Sequence, residues 1–167
     1  MARDLDPFSP LMNRDYGRSL RYAGRCGEAL EAARTAVELD PAHWVTYDVI
    51  RNCSWETGRF EEAVEAAARW FEMGGLEDAV APLRQAWITG GARGVLEFEA
   101  DLFRANGRHY LAAMTYAELG RLDDAFDELF AAIDARDPRA LELKVEPLLE
   151  PLRADPRWQE AQRRMGS

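Results

Sequence analysis

A short turn motif recurs along the chain and constrains its fold more than any other feature. Gly24-Arg25, Gly58-Arg59 and Gly120-Arg121 are each followed by an acidic residue and an alanine, and the first two copies lie 34 positions apart. A glycine after a helix adopts the left-handed conformation at little cost, and an acidic first turn suits the positive end of the next helix. The motif therefore predicts antiparallel helix pairs joined by tight turns, with a period typical of helical solenoids.

Apolar residues recur at helical spacing between these turns, so we predict an all-α chain. The expected architecture is an α-α superhelix of about four helical hairpins, at residues 9–41, 42–75, 76–106 and 107–137, with a carboxy-terminal capping segment at 138–167. In the third hairpin, helices at about 76–88 and 93–105 are joined across Gly90-Gly91. Four prolines divide the last segment into short helical pieces. We expect one domain spanning residues 1–167.

Charge and composition exclude several classes of function. The formal net charge is −9, which disfavours a nucleic-acid surface. Hydrophobic residues make up 47% of the chain, which argues against disorder, and no apolar run approaches the roughly 18 residues of a membrane helix. Only two cysteines occur, and residues 1–6 lack an apolar signal core. The sequence therefore predicts a cytoplasmic protein with neither a nucleic-acid nor a membrane partner.

Several residues follow the pattern of a known helical repeat. In the first hairpin these are Tyr16, Gly17, Leu20, Ala29, Ala33, Ala36 and Pro41. They resemble the tetratricopeptide repeat (TPR), which has an aromatic residue and a glycine in its first helix, alanine in its second and a proline after it. The match is weaker in the second hairpin, where Arg51 stands at the glycine position, and it is nearly absent from the third.

The two ends of the chain carry a closer resemblance. Residues 6–10, Gly90-Gly91 with Gly94, and residues 144–158 resemble the carboxy-terminal TPR region of bacterial signalling and transcription-regulator proteins. In such proteins the amino-terminal part is often a DNA-binding, cyclase or kinase domain. The resemblance implies a bacterial scaffold module that binds protein partners, either excised from a longer protein or acting alone.

The sequence shows no arrangement typical of an enzyme. Cys26 and Cys53 lack the Cys-x-x-Cys spacing of redox catalysts, and helix packing accounts for both. His43 and His109 are 66 positions apart and have no metal-ligand spacing. Paired carboxylates such as Glu61-Glu62 begin helices, where the helix dipole accounts for them. We therefore expect a non-enzymatic protein without cofactor or metal.

Stacked helical hairpins curve, and the first helix of each hairpin lines the concave face. By the geometry of the repeat family, the candidate groove residues are Arg14, Arg18, Arg21, Tyr22, Asp48, Asn52, Trp55, Tyr110 and Met114. The three arginines are spaced i, i+4 and i+7, so they form a basic stripe that suits an acidic segment of a partner. Alternatively, the stripe is a solvated face paired with Asp15 and Glu28. The aromatic residues and Met114 are partner anchors or ordinary packing residues between repeats.

These observations favour a protein–protein interaction scaffold that binds a peptide or helix of a partner in its concave groove. The alternative is a ligand-sensing regulatory domain that controls an attached or associated effector. A deep pocket enclosed by aromatic residues, with two or three converging polar groups, would favour that alternative. Self-association through exposed helix faces is a further candidate, which a concentration-dependent mass would reveal.

Overall fold

The computed structural model describes residues 9–166. Residues 1–8 lie outside the described range, and with them the segment 1–6 that lacks a signal core and residues 6–8 of the segment used for the resemblance. The described residues are helical and contain no β-strand, so the all-α prediction is confirmed. They form two compact units, one ending at Gln85 and one beginning at Ala86, called unit 1 and unit 2 below.

Unit 1 is built from consecutive helices that pack on one another. The helices are α1 (Pro10–Tyr22), α2 (Cys26–Leu39), α3 (Thr46–Glu56) and α4 (Phe60–Met73), followed by a 3-10 turn at Glu77–Ala79. Helix α1 packs on α2, α2 on α3 and α3 on α4, and α1 also contacts α3. Ser9 caps α1 by accepting a hydrogen bond from the backbone N–H of Met12 at 3.3 Å, with Pro10 at the first helical position.

The Gly-Arg turns have the conformation that the sequence predicts. Gly24, Gly58 and Gly120 have φ values of 71°, 75° and 72°, in the left-handed region. At the first turn the N–H of Gly24 bonds to the carbonyl of Arg21, and the N–H of Arg25 bonds to that of Leu20. These are the two hydrogen bonds of a Schellman motif, which ends one helix as the next begins.

Small residues bring the helices of each pair close together. Ala29, Ala63 and Ala125, the alanines of the turn motif, are all fully buried. A Cβ atom added at Gly17 of α1 would lie 3.2 Å from the carbonyl oxygen of Ala29 on α2. The backbones of α1 and α2 therefore approach each other closely at Gly17 and Ala29.

Helix α5 (Val80–Ala105) is interrupted at Gly91, which has φ 58° and ψ −148°. Residues eight apart in a continuous helix are separated by about 12 Å along its axis. A Cβ atom added at Gly94, however, would lie only 2.6 Å from the carbonyl oxygen of Ala86. The chain therefore folds back on itself at the glycine pair where the sequence predicts a turn. The helix begins later than predicted, because Glu77–Ala79 forms a 3-10 turn.

The rest of unit 2 contains one helix pair and a segmented tail. Helices α6 (His109–Glu118) and α7 (Leu122–Asp134) pair, and 3-10 segments at Pro138–Glu142 and Pro147–Leu152 precede α8 (Arg157–Arg164). The tail is thus a set of short pieces, as the prolines predict. It adds helical segments beyond four hairpins.

The close approach at Gly94 leads to a testable prediction. We expect Gly94→Ala to lower the free energy of unfolding by about 1–2 kcal/mol, because the clash with the Ala86 carbonyl outweighs the roughly 1 kcal/mol that alanine contributes to a helix. Urea denaturation followed by circular dichroism measures the change. Gly90→Ala is the matched control, since a Cβ atom there meets no atom within 4 Å, and this variant should be neutral or stabilised. Equal behaviour of the two variants would contradict the close approach.

Candidate functional site

The predicted basic stripe on α1 is not uniformly exposed. The side chains of Arg14, Arg18 and Arg21 are 16%, 38% and 3% exposed. Arg14 Nε lies 3.2 Å from Asp15 Oδ1, and Arg18 Nη2 lies 3.9 Å from the same oxygen. Arg14 and Arg18 therefore form a partly solvated cluster with Asp15, whereas Arg21 is part of the interior.

Glu28 pairs with an arginine outside the basic stripe. Arg25 donates two hydrogen bonds to its carboxylate, at 2.7 and 2.6 Å. This contact keeps the pKa of the Glu28 carboxyl below its usual range. The alternative interpretation of the stripe, a solvated face paired with Asp15 and Glu28, thus agrees with the contacts of Asp15 but not with those of Glu28.

Arg21 joins the ends of two helices. Its Nε donates a 2.7 Å hydrogen bond to Glu56 Oε1 at the last residue of α3, and its guanidinium lies 5.7 Å from the ring centre of Tyr22. A Cβ atom added at Gly17, one turn earlier on α1, would touch Val49 Cγ1 of α3 at 3.4 Å. Helices α1 and α3, the first helices of consecutive pairs, therefore lie side by side.

Two of the predicted residues of α3, Asp48 and Asn52, form a hydrogen-bonded network with Arg51, which the sequence reasoning did not select. Arg51 donates to Asn52 Oδ1 at 2.9 Å, and Asn52 Nδ2 donates to Asp48 Oδ1 at 3.1 Å. The Arg51 guanidinium lies 5.0 Å from the ring centre of Trp55, which meets Phe60 edge-to-face at 5.1 Å. Arg51, Asn52 and Trp55 are buried, and Asp48 is partly exposed. Trp55 is thus packed between Arg51 of its own helix and Phe60 of α4.

The remaining two predicted residues belong to unit 2. Tyr110 and Met114 lie on α6 and are 1% and 8% exposed. They are packed within the helical core, so the packing interpretation describes them in this structure.

A buried pair of thiols is the main feature that the sequence reasoning missed. Cys26 Sγ lies 2.9 Å from Cys53 Sγ and 3.1 Å from Glu56 Oε2. Burial raises the pKa of both thiols, and the nearby Glu56 carboxylate raises the pKa of each further. The two residues are separated by 27 positions, and only the packing of α2 on α3 brings them together.

Unit 2 holds a second polar cluster, which was also missed. Glu128 on α7 is largely buried and accepts a 2.7 Å hydrogen bond from Arg104 Nε. Its other oxygen lies 2.7 Å from His109 Nδ1. His109 therefore takes part in an interhelical polar contact. His43 in unit 1 lies 2.7 Å from the hydroxyl of Thr46.

A surface cleft of about 460 Å³ opens beside the last helices of unit 2. Aliphatic, polar and charged residues line it: Ile133, Arg136, Asp137, Pro138, Ala140, Leu141, Arg164 and Met165. Arg164 contacts Asp134 and Glu160. The aromatic enclosure expected of a ligand-sensing pocket is not what lines this cleft.

Within residues 9–166, no group of three or more His, Cys, Asp or Glu side chains is arranged to hold a metal ion. None of the helices described there combines the length and apolar character needed to cross a membrane. Comparison of the chain with models of protein families, with curated proteins and with solved structures finds no match in any of the three.

Proposed function

We propose that the chain is a non-enzymatic interaction module of the tetratricopeptide type, a superhelix of helical hairpins that binds a peptide or helix of a partner protein. The side-by-side packing of α1 and α3 carries this proposal, because it gives the first helices of two consecutive pairs a common surface. We call the partly exposed residues Arg14, Asp15, Arg18, Tyr22 and Asp48 the α1/α3 face.

The two arginines of this face suit an acidic segment of the partner. Arg14 and Arg18 both lie near the Asp15 carboxylate, so these three neighbouring residues of α1 carry two positive charges and one negative charge. An arginine fork binds carboxylates with two parallel hydrogen bonds. Because the helical surface is already formed, only the peptide has to become ordered on binding, which lowers the entropy cost of the complex.

Internal pairing of the charged groups supports a non-enzymatic role. Glu62 of the pair Glu61-Glu62 contacts Arg34, and Asp124 of the pair Asp123-Asp124 contacts Arg121 at 2.8 Å. Both pairs lie in the first turns of helices, where acidic residues stabilise the helix dipole. Such carboxylates have structural partners on this chain.

Peptide selection tests the proposal directly. A displayed peptide library is selected on the native chain, and the binding of each selected peptide is measured by isothermal titration calorimetry. We expect acidic peptides, and we expect the double variant Arg14→Glu/Arg18→Glu to bind them at least tenfold more weakly, which corresponds to about 1.4 kcal/mol. Arg21 is left unchanged, because it is buried and its replacement would perturb the fold.

The matched control is Arg69→Glu/Arg84→Glu. Both residues lie in unit 1, their side chains are 62% and 50% exposed, and each contacts one glutamate. The control changes the net charge by the same amount, so it should retain native affinity and circular dichroism. A library that yields no binder, or peptides that bind both double variants equally, would refute binding at the α1/α3 face.

A further inference from the structure

The thiol pair is the strongest unassigned chemical feature of unit 1. Cys26 is the first residue of α2 and Cys53 lies within α3, and both are buried beside Glu56. Glu56 is itself held by Arg21 at 2.7 Å. Thiols separated by many residues seldom meet unless packing places them together.

The two sulfurs lie in direct contact. A disulfide has a length of about 2.0 Å, and the two Sγ atoms are 2.9 Å apart, so a bond requires them to approach by about 1 Å. We propose that Cys26 and Cys53 are a redox modification site, where exchange with a low-molecular-weight disulfide forms a reversible bond between α2 and α3. This inference is independent of the proposed function.

The difference in exposure between the two cysteines indicates which sulfur reacts first. Cys26 is 8% exposed and Cys53 is 0% exposed, so Cys26 meets the external disulfide first. The Cys26 thiol loses its proton, and the thiolate attacks one sulfur of the disulfide RSSR, which breaks its S–S bond and releases RS⁻. Cys53 then attacks Cys26 Sγ, breaks the mixed disulfide and releases the second RS⁻. The two released thiolates take up the two protons, so two protein thiols are oxidised and one RSSR is reduced to two RSH.

The surroundings make this exchange slow. Burial and the Glu56 carboxylate favour the protonated thiols, and the thiolate is the reacting form. The site therefore responds to a sustained oxidising environment and not to a brief one. Once the bond has formed, the same packing slows its reduction by external thiols.

The bond has a measurable consequence for stability. It would close a loop from residue 26 to residue 53 and so reduce the entropy of the unfolded chain. For a loop of this length in a chain of 167 residues we expect the melting temperature to rise by roughly 10 °C. The rise should disappear when the bond is reduced.

The experiment uses the full chain, reduced and freed of reductant, then incubated overnight with bis(hydroxyethyl) disulfide. The chain is unfolded, free thiols are alkylated, and mass spectrometry is applied to the intact protein and its peptides. We expect an unalkylated chain that has lost the mass of two hydrogens, a linked pair of peptides containing Cys26 and Cys53, and the higher melting temperature. Dithiothreitol should reverse all three.

Cys26→Ser and Cys53→Ser are the matched controls, and each has one thiol left. Cys26→Ser should react little, because the remaining Cys53 is buried, whereas Cys53→Ser should stop at the mixed disulfide. Three results on the native chain would each overturn the proposal: two alkylated thiols, a mixed disulfide that persists on Cys26, or a bond between two chains. An internal bond that leaves the melting temperature unchanged or lowers it would contradict the proposal that the bond stabilises the packing of α2 on α3.

Discussion

Removal of residues 146–167 is expected to leave unit 2 without a stable fold. The deleted segment buries Leu149 and Leu152 completely and Trp158 almost completely. The segment Pro147–Leu152 packs on α6 and α7, and α8 packs on α7. Each large apolar side chain contributes about 1.5–3 kcal/mol when buried. Three of them together approach the 5–15 kcal/mol that stabilises a whole domain. We expect the truncated chain to lose helical circular dichroism, to bind a hydrophobic dye and to aggregate.

Two single substitutions compare the loss of a buried leucine side chain with the loss of an exposed one. Leu149→Ala should lower the free energy of unfolding by about 2–5 kcal/mol, as for other buried leucines. Leu141 is 78% exposed, so Leu141→Ala should leave the urea midpoint nearly unchanged. A truncated chain that melts like the native chain and stays monomeric in solution would show that the tail does not complete unit 2.

The features predicted correctly from the sequence depend on local chemistry. A left-handed glycine followed by an arginine and an acidic first turn fixes the backbone within a few residues, so the turn at Gly24 is predictable without its neighbours. Gly107-Arg108 adopts the same turn but was not recognised as a copy of the motif. The reason is that Leu111 occupies the position three residues on, where the other copies have an acidic residue.

The candidate site was predicted less well, because it depends on how one helix pair packs on the next. Periodicity places Arg14, Arg18 and Arg21 on one face of α1, but it does not say that α3 covers the last of them. The contact between Cys26 and Cys53 has the same origin, since no spacing rule links residues on α2 and α3. Arginine is usually exposed, but it can be buried where a carboxylate on the neighbouring helix pairs with it.

Arg21→Met is expected to lower the free energy of unfolding of unit 1 by about 3 kcal/mol. The guanidinium is 3% exposed, and its hydrogen bond to Glu56 ties the end of α1 to the end of α3. Methionine preserves much of the side-chain volume but leaves the Glu56 carboxylate without this donor. Because Glu56 is 24% exposed, water compensates part of the loss, which places the effect at the lower end of the range for broken buried pairs. Urea denaturation monitored by circular dichroism measures it.

Arg25→Met is the matched control, since Arg25 also holds a glutamate at 2.7 Å but in solvent, with side chains that are 54% and 53% exposed. Exposed ion pairs contribute little, because water solvates both partners and salt screens them. The urea midpoint of this variant should therefore stay at the native value, and the midpoints of the variant and the native chain should remain equal when salt is added. If Arg21→Met had no effect either, the contact between Arg21 and Glu56 would not stabilise the packing of α1 on α3. If only Arg21→Met is destabilised, this buried contact holds the end of α1 beside the end of α3.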